Sequence, residues 1–389
     1  MSNDYKLFIR EVLLSTGELT REAVIYYDGY EYYDSAPLGA TIGLKETQSQ
    51  NYSNNKCVME LSLKKDIINL TQAKFDKEVG KKFDSQTSTA FSLAYLKLLA
   101  HKKGFNEKEI FKYISLEYKK TISSPKIICN VLSGGKHAYN NLAFCEFMII
   151  PKGINTRQNI QIVSEVYSDL KSLIKNELGE NHLILGREGS FSPLISSVEE
   201  AISLLDRAIC KRNQDKCFIA IDIAANNFTK KSDENQFEYI VNKKNYTTNT
   251  LIKYYSYLID KYPSIKYLED PLHENDIKGW QNLFNKIGDK ILIVADDLTV
   301  SKLLNLKKYK KCFNACILKI NQSGDFTEFI KAYNYCIKNK IQTIISQRSG
   351  ETDSNIITHI VVGLGGHYLK AGAPARERII KYNELLRIT

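Results

Sequence analysis

The sequence reads as an α/β chain, a barrel of parallel strands preceded by a smaller α+β unit, on three observations. First, five short apolar runs in the second half each stop on a residue able to do acid, base or metal chemistry. They are Phe218 to Asp222, Ile265 to Glu269, Ile291 to Asp296, Cys316 to Lys319 and Thr343 to Gln347, with Tyr368-Leu369-Lys370 as a sixth. Second, the stretches between them are amphipathic, so the pattern is strand, helix, strand, helix. Third, residues before about 120 have a different character, with strand-like runs first and a helical segment after them.

In chain order, Tyr5-Lys-Leu-Phe-Ile-Arg-Glu-Val-Leu and Glu22-Ala-Val-Ile-Tyr-Tyr predict two strands joined by the turn-like Ser15-Thr-Gly-Glu, the start of a β-meander. Residues 71 to 118 read as helical, with Phe91, Leu93, Leu96, Leu98 and Leu99 in a stretch that Gly104 ends. Near Ser123-Ser124-Pro125 the pattern changes to Ile127-Ile128-Cys129-Asn130-Val131-Leu132, then a glycine pair, then Phe147-Met148-Ile149-Ile150. The domain boundary is expected there, giving a unit over 1–122 and a barrel over 123–389. Residues 194 to 211 carry a helical stripe.

Eight cysteines lie scattered without a CxxC pair, which predicts free thiols in a reducing compartment. The start has no basic stretch followed by an apolar segment, and no window is apolar enough to span a membrane. A cytoplasmic protein without a membrane partner is expected. The net charge of +10 raises the question of an acidic partner such as RNA. Apart from the cluster Lys307, Lys308, Lys310 and Lys311, however, the lysines are spread along the chain, so the expectation is a solvated face and no nucleic acid.

In a barrel of parallel strands every C-terminal end points to one mouth, where active sites form. Asp222, Glu269 and Asp296 would meet there as hard oxygen ligands of the kind Mg²⁺ prefers. Without a cation they would repel and raise one another's pKa. Lys319, at the next strand end, is a candidate general base whose proton a nearby cation and Lys370 would loosen, and Lys370 would help neutralise an enolate. Glu188 and Glu146 also follow apolar stretches and suit the acid side of such a reaction, with structural loop-capping as the competing explanation. His137 sits beside Gly134-Gly135, in a loop able to fold over a ligand. His101, His182, His273, His359 and His367 have no supporting context.

These residues resemble the enolase family. Asn130-Val-Leu-Ser-Gly-Gly-Lys-His137, Glu146-Phe-Met-Ile, Leu268-Glu269-Asp-Pro, Val294-Ala-Asp296-Asp297, Leu318-Lys319-Ile-Asn-Gln, Gln347-Arg-Ser-Gly-Glu-Thr and Lys370-Ala-Gly-Ala-Pro-Ala-Arg are similar to its motifs, in its order. The match is strong from about residue 126 onward and thinner before, where Ala36-Pro-Leu-Gly-Ala-Thr-Ile-Gly43 resembles the first mobile loop. The resemblance implies an α+β capping domain on an eight-stranded β/α barrel with irregular first units. It implies a glycolytic Mg²⁺-dependent lyase that dehydrates 2-phosphoglycerate to phosphoenolpyruvate, and a possible homodimer. Position by position it implies that Asp222, Glu269 and Asp296 hold Mg²⁺, Lys319 abstracts the proton, and Glu188 with Glu146 assists loss of hydroxide. It further implies that Lys370 steadies the substrate carboxylate, that Arg348 and Ser349 grip the phosphate, and that His137 is the histidine of the second mobile loop.

The chain also departs from the pattern. Leu38 stands for a serine that binds a second Mg²⁺, Gln347 for a histidine, Arg187 for an aspartate and Cys145 for a glutamine. Leu14-Ser-Thr-Gly-Glu-Leu lacks an arginine associated with the dimer contact. Gln347 and Arg187 are therefore candidate substrate contacts, and Arg187 could meet an additional anionic group. Two alternatives accompany the lyase reading. One is an enzyme of specialised metabolism acting on a related phosphorylated or phosphonate carboxylate; the other is a non-catalytic binding protein on the same barrel.

Overall fold

The computed structural model describes residues 5–39, 58–61, 67–211, 216–233 and 236–389. Residues 40–43 of the loop singled out in the sequence lie outside them. The N-terminal unit is an antiparallel sheet in which Tyr5–Leu13 sits between Leu19–Tyr27 and Val58–Leu61, with Tyr30–Ser35 on the outer edge of Leu19–Tyr27. The segment read as helical forms three α-helices, Gln72–Gly80, Ser85–Lys102 and Ile110–Tyr118. Local chemistry makes the breaks. The Asp84 carboxylate caps the second helix by accepting from the Thr87 N–H at 2.8 Å. Gly104, at φ +84°, turns the chain beyond the helix end, and Asn106 with Glu109 forms a capping box before the third helix.

Eight strands close the barrel. In chain order they are Lys126–Ser133, Glu146–Pro151, Cys217–Asp222, Ile265–Glu269, Leu292–Ala295, Ala315–Leu318, Gln342–Ser346 and Tyr368–Ala371. One expectation needs correction, because not all the strands are parallel. The second pairs antiparallel with both neighbours. The connection before it contains one 3-10 turn, Gly135–His137, and no crossover helix of the kind that usually joins parallel strands. The second strand therefore ends at the floor of the barrel. Two successive helices, Thr156–Leu178 and Val198–Cys210, carry the chain to the mouth and back. This reversal puts the start of the second strand, Glu146, and the turn between the two helices, which holds Glu188, at the same rim as the other strand ends.

Inside the barrel Ile128, Met148, Ala220, Tyr267, Val294, Ile317 and Ile344 form a buried plug, so the interior is a core and not a pore. A second, larger cluster between strands and outer helices also takes in Leu96, Phe111 and Ile114 of the N-terminal unit. That packing depends on Gly363, in the helix Ile356–Leu364, where an added Cβ would lie 2.5 Å from the Phe111 carbonyl oxygen and 2.9 Å from the Ile114 Cβ. Gly363→Ala would gain about 1 kcal/mol of helix propensity. The clash outweighs it, and the expected result is a net loss of about 1–2 kcal/mol in denaturant unfolding.

The sheet's first hairpin rests on the barrel rim. Ser15 N–H donates to the Glu351 carbonyl at 2.7 Å, and the Ser15 Oγ accepts from the Glu351 N–H at 3.1 Å. No disulfide joins the seven cysteines within the described residues, and no helix there is long and apolar enough to cross a membrane.

Candidate active site

A cavity of about 220 Å³ opens at the barrel mouth. Ten of the twelve residues singled out in the sequence line it: His137, Glu146, Glu188, Asp222, Asp296, Lys319, Gln347, Arg348, Ser349 and Lys370. Glu269 lies beneath it with no exposed surface. Arg187 does not reach it. Its side chain is exposed while its neighbour Glu188 points inward, so the expectation that Arg187 meets a bound anion in this cavity is not supported by its position.

Strand register explains the crowding of acids. Glu146, Asp222 and Glu269 are register partners on three adjacent strands, so their side chains form one row at the rim. Three buried carboxylates in a row repel, and a single ammonium offsets them. Lys370, on the last strand, places its Nζ 2.9 Å from Glu146, 3.2 Å from Asp222 and 2.7 Å from Glu269. Burial works against the Lys370 charge, but the three carboxylates hold its pKa well above the ordinary lysine value. Glu146 is also buried, yet Lys370 and His137 pull it well below the usual carboxylate range. Burial pushes Asp222 up to about 6, and burial with the Asp222 charge pushes Glu269 well above its usual value. The second Glu269 oxygen accepts from Tyr267 Oη at 2.5 Å.

Lys319 donates to Asp296 Oδ2 at 2.5 Å. Without a cation beside it, the Lys319 ammonium is governed by its protein neighbours, of which Lys370 acts in the expected direction. Burial, Arg348 and Lys370 all lower its pKa, but the Asp296 carboxylate outweighs them and the value is raised. The Lys319 backbone is fixed by its N–H donating to Ser301 Oγ at 2.9 Å.

On the other side of the chemistry, His137 Nδ1 lies 2.9 Å from a Glu146 oxygen. Burial disfavours the imidazolium, but Cys145 and Glu146 hold its pKa well above the ordinary value. Glu188 Oε2 accepts from Gln347 Nε2 at 3.2 Å and from Asn130 Nδ2 at 3.5 Å. Burial and the Glu146 charge raise its pKa. Two adjacent carboxyls thus have pKa values pushed in opposite directions, the pattern that separates an acid from a base.

The loop carrying Arg348 and Ser349 is held by residues that sequence reasoning missed. Arg378, fully buried, donates to the Arg348 carbonyl at 2.8 Å and to the Ser349 carbonyl at 2.6 Å. Glu351 accepts the Arg348 N–H at 2.8 Å and is itself paired with Lys381 at 2.6 Å. Asp270 was also missed. Its carboxylate accepts the N–H groups of Asp296 and Asp297 at 2.9 and 2.8 Å, which fixes the rim loop. An Asp next to Glu269 was a visible signal, but its role depends on a neighbouring strand.

The donor set fits a divalent cation. Asp296 Oδ1 is buried without a hydrogen-bond partner, and the elevated Asp222 and Glu269 values mark a site short of positive charge. Among the described residues two groups bring three candidate ligand atoms within 4.8 Å of one another: Asp270, Asp296 and Asp297, and His137, Glu146 and Glu188. Asp222, Glu269 and Asp296 are not one of these groups. Lys370 is drawn between the first two, and Lys319 binds the third. At the position of the altered loop serine, the Leu38 backbone bonds in both directions with Gly350, at 2.9 and 2.8 Å, so its carbonyl is already engaged.

Comparison with known proteins agrees with this geometry. Residues 121–389 match the family described as enolase, C-terminal TIM barrel domain. The chain is also 35% identical to an enolase of Sulfolobus acidocaldarius, over 95% of this chain and 91% of that protein.

Proposed function

Since the chain belongs to the enolase family and is a hydro-lyase, we propose that it dehydrates 2-phosphoglycerate to phosphoenolpyruvate with Mg²⁺. The observation that carries this reading is one cavity lined by an amine, Lys319, and by a carboxyl biased toward its protonated form, Glu188. Elimination of water needs this pair: a base for the proton α to the carboxylate and an acid for the departing hydroxyl. Enolase-superfamily sites are known for a Lys or His base working with one or two Mg²⁺ ions.

In this reading Asp222, Glu269 and Asp296 would hold the metal. When bound, it supplies positive charge that offsets the Asp296 carboxylate beside Lys319 and the negative charge gathering on the substrate carboxylate. Lys319 takes the proton from C2. Glu188 gives a proton to the C3 hydroxyl, which leaves as water while the C–O bonding pair departs with it and the C2 pair closes the double bond. Glu146 and His137 support Glu188: burial and the Glu146 charge bias it toward its protonated form, while Lys370 and His137 favour the ionised form of Glu146. Lys370 receives the substrate carboxylate, and Arg348 with Ser349 receives the phosphate on the loop that Arg378 braces.

A second reading has its own observation. Gln347 Oε1 is buried without a hydrogen-bond partner, and Gln347 and Cys145 both line the cavity. An acceptor left unpaired costs about 1–3 kcal/mol, so a substrate carrying one additional donor at that position would be favoured. The two readings separate in one assay. Mg²⁺-dependent growth of enolpyruvate absorbance from 2-phosphoglycerate supports the first, whereas folded, metal-stabilised protein without turnover moves the reading to a related phosphorylated or phosphonate carboxylate.

Metal binding should also depend on pH in a definite direction. With Asp222 at about 6 in the metal-free protein, its carboxylate is protonated increasingly below that pH, and protons compete with the cation. The rise in Tm produced by a fixed Mg²⁺ concentration is expected to be full at pH 7.5 and to shrink between pH 6.5 and 5. A rise independent of pH across that range would contradict Asp222 as a ligand.

A further inference from the structure

At the opposite end of the barrel from the active site, a second hollow of about 530 Å³ is lined by Lys126, Lys152, Lys266 and Lys290, with the rings of Phe218 and Tyr368 in its wall. The topology brings all six there. Lys126, Phe218, Lys266 and Tyr368 stand at the starts of parallel strands, Lys290 precedes Leu292–Ala295, and Lys152 follows Pro151, where the antiparallel strand ends. The two ends of the barrel are thus oppositely furnished, with carboxylates crowding the mouth and ammonium groups ringing the floor.

Three of these lysines, Lys126, Lys266 and Lys290, are not explained by local structure. Lysines in the last turns of helices, such as Lys261, Lys286 and Lys338, complement helix dipoles. The four floor lysines lie on strands and loops, where that effect is small. Among the described residues no carboxylate comes within ion-pair distance of Lys126, Lys266 or Lys290, and Asp289 is the one acid among the described lining residues. Lys126 stands over an aromatic face, its Nζ 5.8 Å from the Tyr368 centroid, and Lys152, which has a further partner, lies with its Nζ 4.5 Å from that of Phe218. The Tyr368 ring positions the Lys126 ammonium without neutralising its charge.

We propose that this floor hollow binds an oligophosphate, a linear anion with several charges, either inorganic or carried by a nucleoside. Lys126, Lys266 and Lys290, three point-like cations without a carboxylate partner around one concave space, suit successive phosphates, each reachable by a flexible lysine, with Lys152 beside them. A single carboxylate or orthophosphate would leave most of the ring unmatched.

The test uses the whole metal-free chain and calorimetric titration with tripolyphosphate, ATP and orthophosphate at low salt. Tripolyphosphate is expected to bind at least tenfold more tightly than orthophosphate, and its affinity should fall steeply with added salt. Lys266→Gln/Lys290→Gln should weaken it at least tenfold while retaining wild-type lyase turnover, which shows that the variant is folded. Arg348→Gln, at the mouth, should leave it unchanged. ATP binding as tightly as tripolyphosphate assigns recognition to the phosphates alone, and tighter ATP binding adds the nucleoside; both support the site. No tripolyphosphate binding, undiminished binding by the floor double variant, or loss of binding in Arg348→Gln would overturn it.

Discussion

Lys319→Ala is expected to lower kcat on 2-phosphoglycerate by about 10³- to 10⁴-fold, with KM changed little, because a general base acts in the transition state and contributes about that much. The same variant should not lose metal. Lys319 is the ammonium on Asp296 Oδ2, and without it that carboxylate is freer to meet a cation. The Mg²⁺-induced rise in Tm should therefore be retained or increased. This split, turnover lost and metal kept, is what distinguishes a base from a structural lysine. A purely structural lysine would lose stability along with activity, and kinetics with a Mg²⁺ titration of Tm measures both.

The second variant acts on stability as well as on chemistry. Lys370→Met removes the ammonium that, among the described residues, touches Glu146, Asp222 and Glu269, all buried. Breaking a buried ion pair by deleting one partner typically costs about 3–5 kcal/mol. The loss should depend on pH. In the variant the folded-state pKa values of Asp222 and Glu269 rise further above their unfolded values. A carboxyl raised in that sense favours the fold below its unfolded pKa and loses that contribution as pH rises through the folded value. The deficit relative to the parent is therefore expected to be large at pH 7–8 and to narrow toward pH 5, as measured by denaturant unfolding. Saturating Mg²⁺ should restore part of it at neutral pH, because bound metal stabilises only the folded state. A deficit that widened on acidification would contradict the carboxylate row.

The sequence made much of this architecture readable because parallel strands expose their ends at one rim, so an apolar run followed by a charged residue already indicates position. Asp222, Asp296, Lys319 and Lys370 were found this way, and all line the cavity. Glu146 and Glu188 were weaker signals, since they reach the same rim through a strand that runs backward and a turn between paired helices. Strand direction depends on pairing, which apolar periodicity does not encode. Arg187 shows the opposite failure: adjacency in sequence to Glu188 suggested a shared site, but successive residues in that turn face opposite ways. Arg378 and Asp270 act on backbone groups distant in sequence, Lys381 on the Glu351 carboxylate and the Thr352 carbonyl, and no spacing rule reports such contacts. The state of Lys319 was also beyond reach, because its pKa depends on how Asp296, Lys370 and Arg348 balance at short range.

Exchange of the C2 hydrogen tests the base assignment before any leaving group departs. With 2-phosphoglycerate, Mg²⁺ and the protein in D₂O, NMR should show deuterium entering C2 at a rate that falls at least a thousandfold in Lys319→Ala. It should persist in Glu188→Gln, where only the departure of hydroxyl is impaired. Exchange undiminished in Lys319→Ala, or none in the parent chain under conditions where Mg²⁺ stabilises it, would contradict proton abstraction by this lysine.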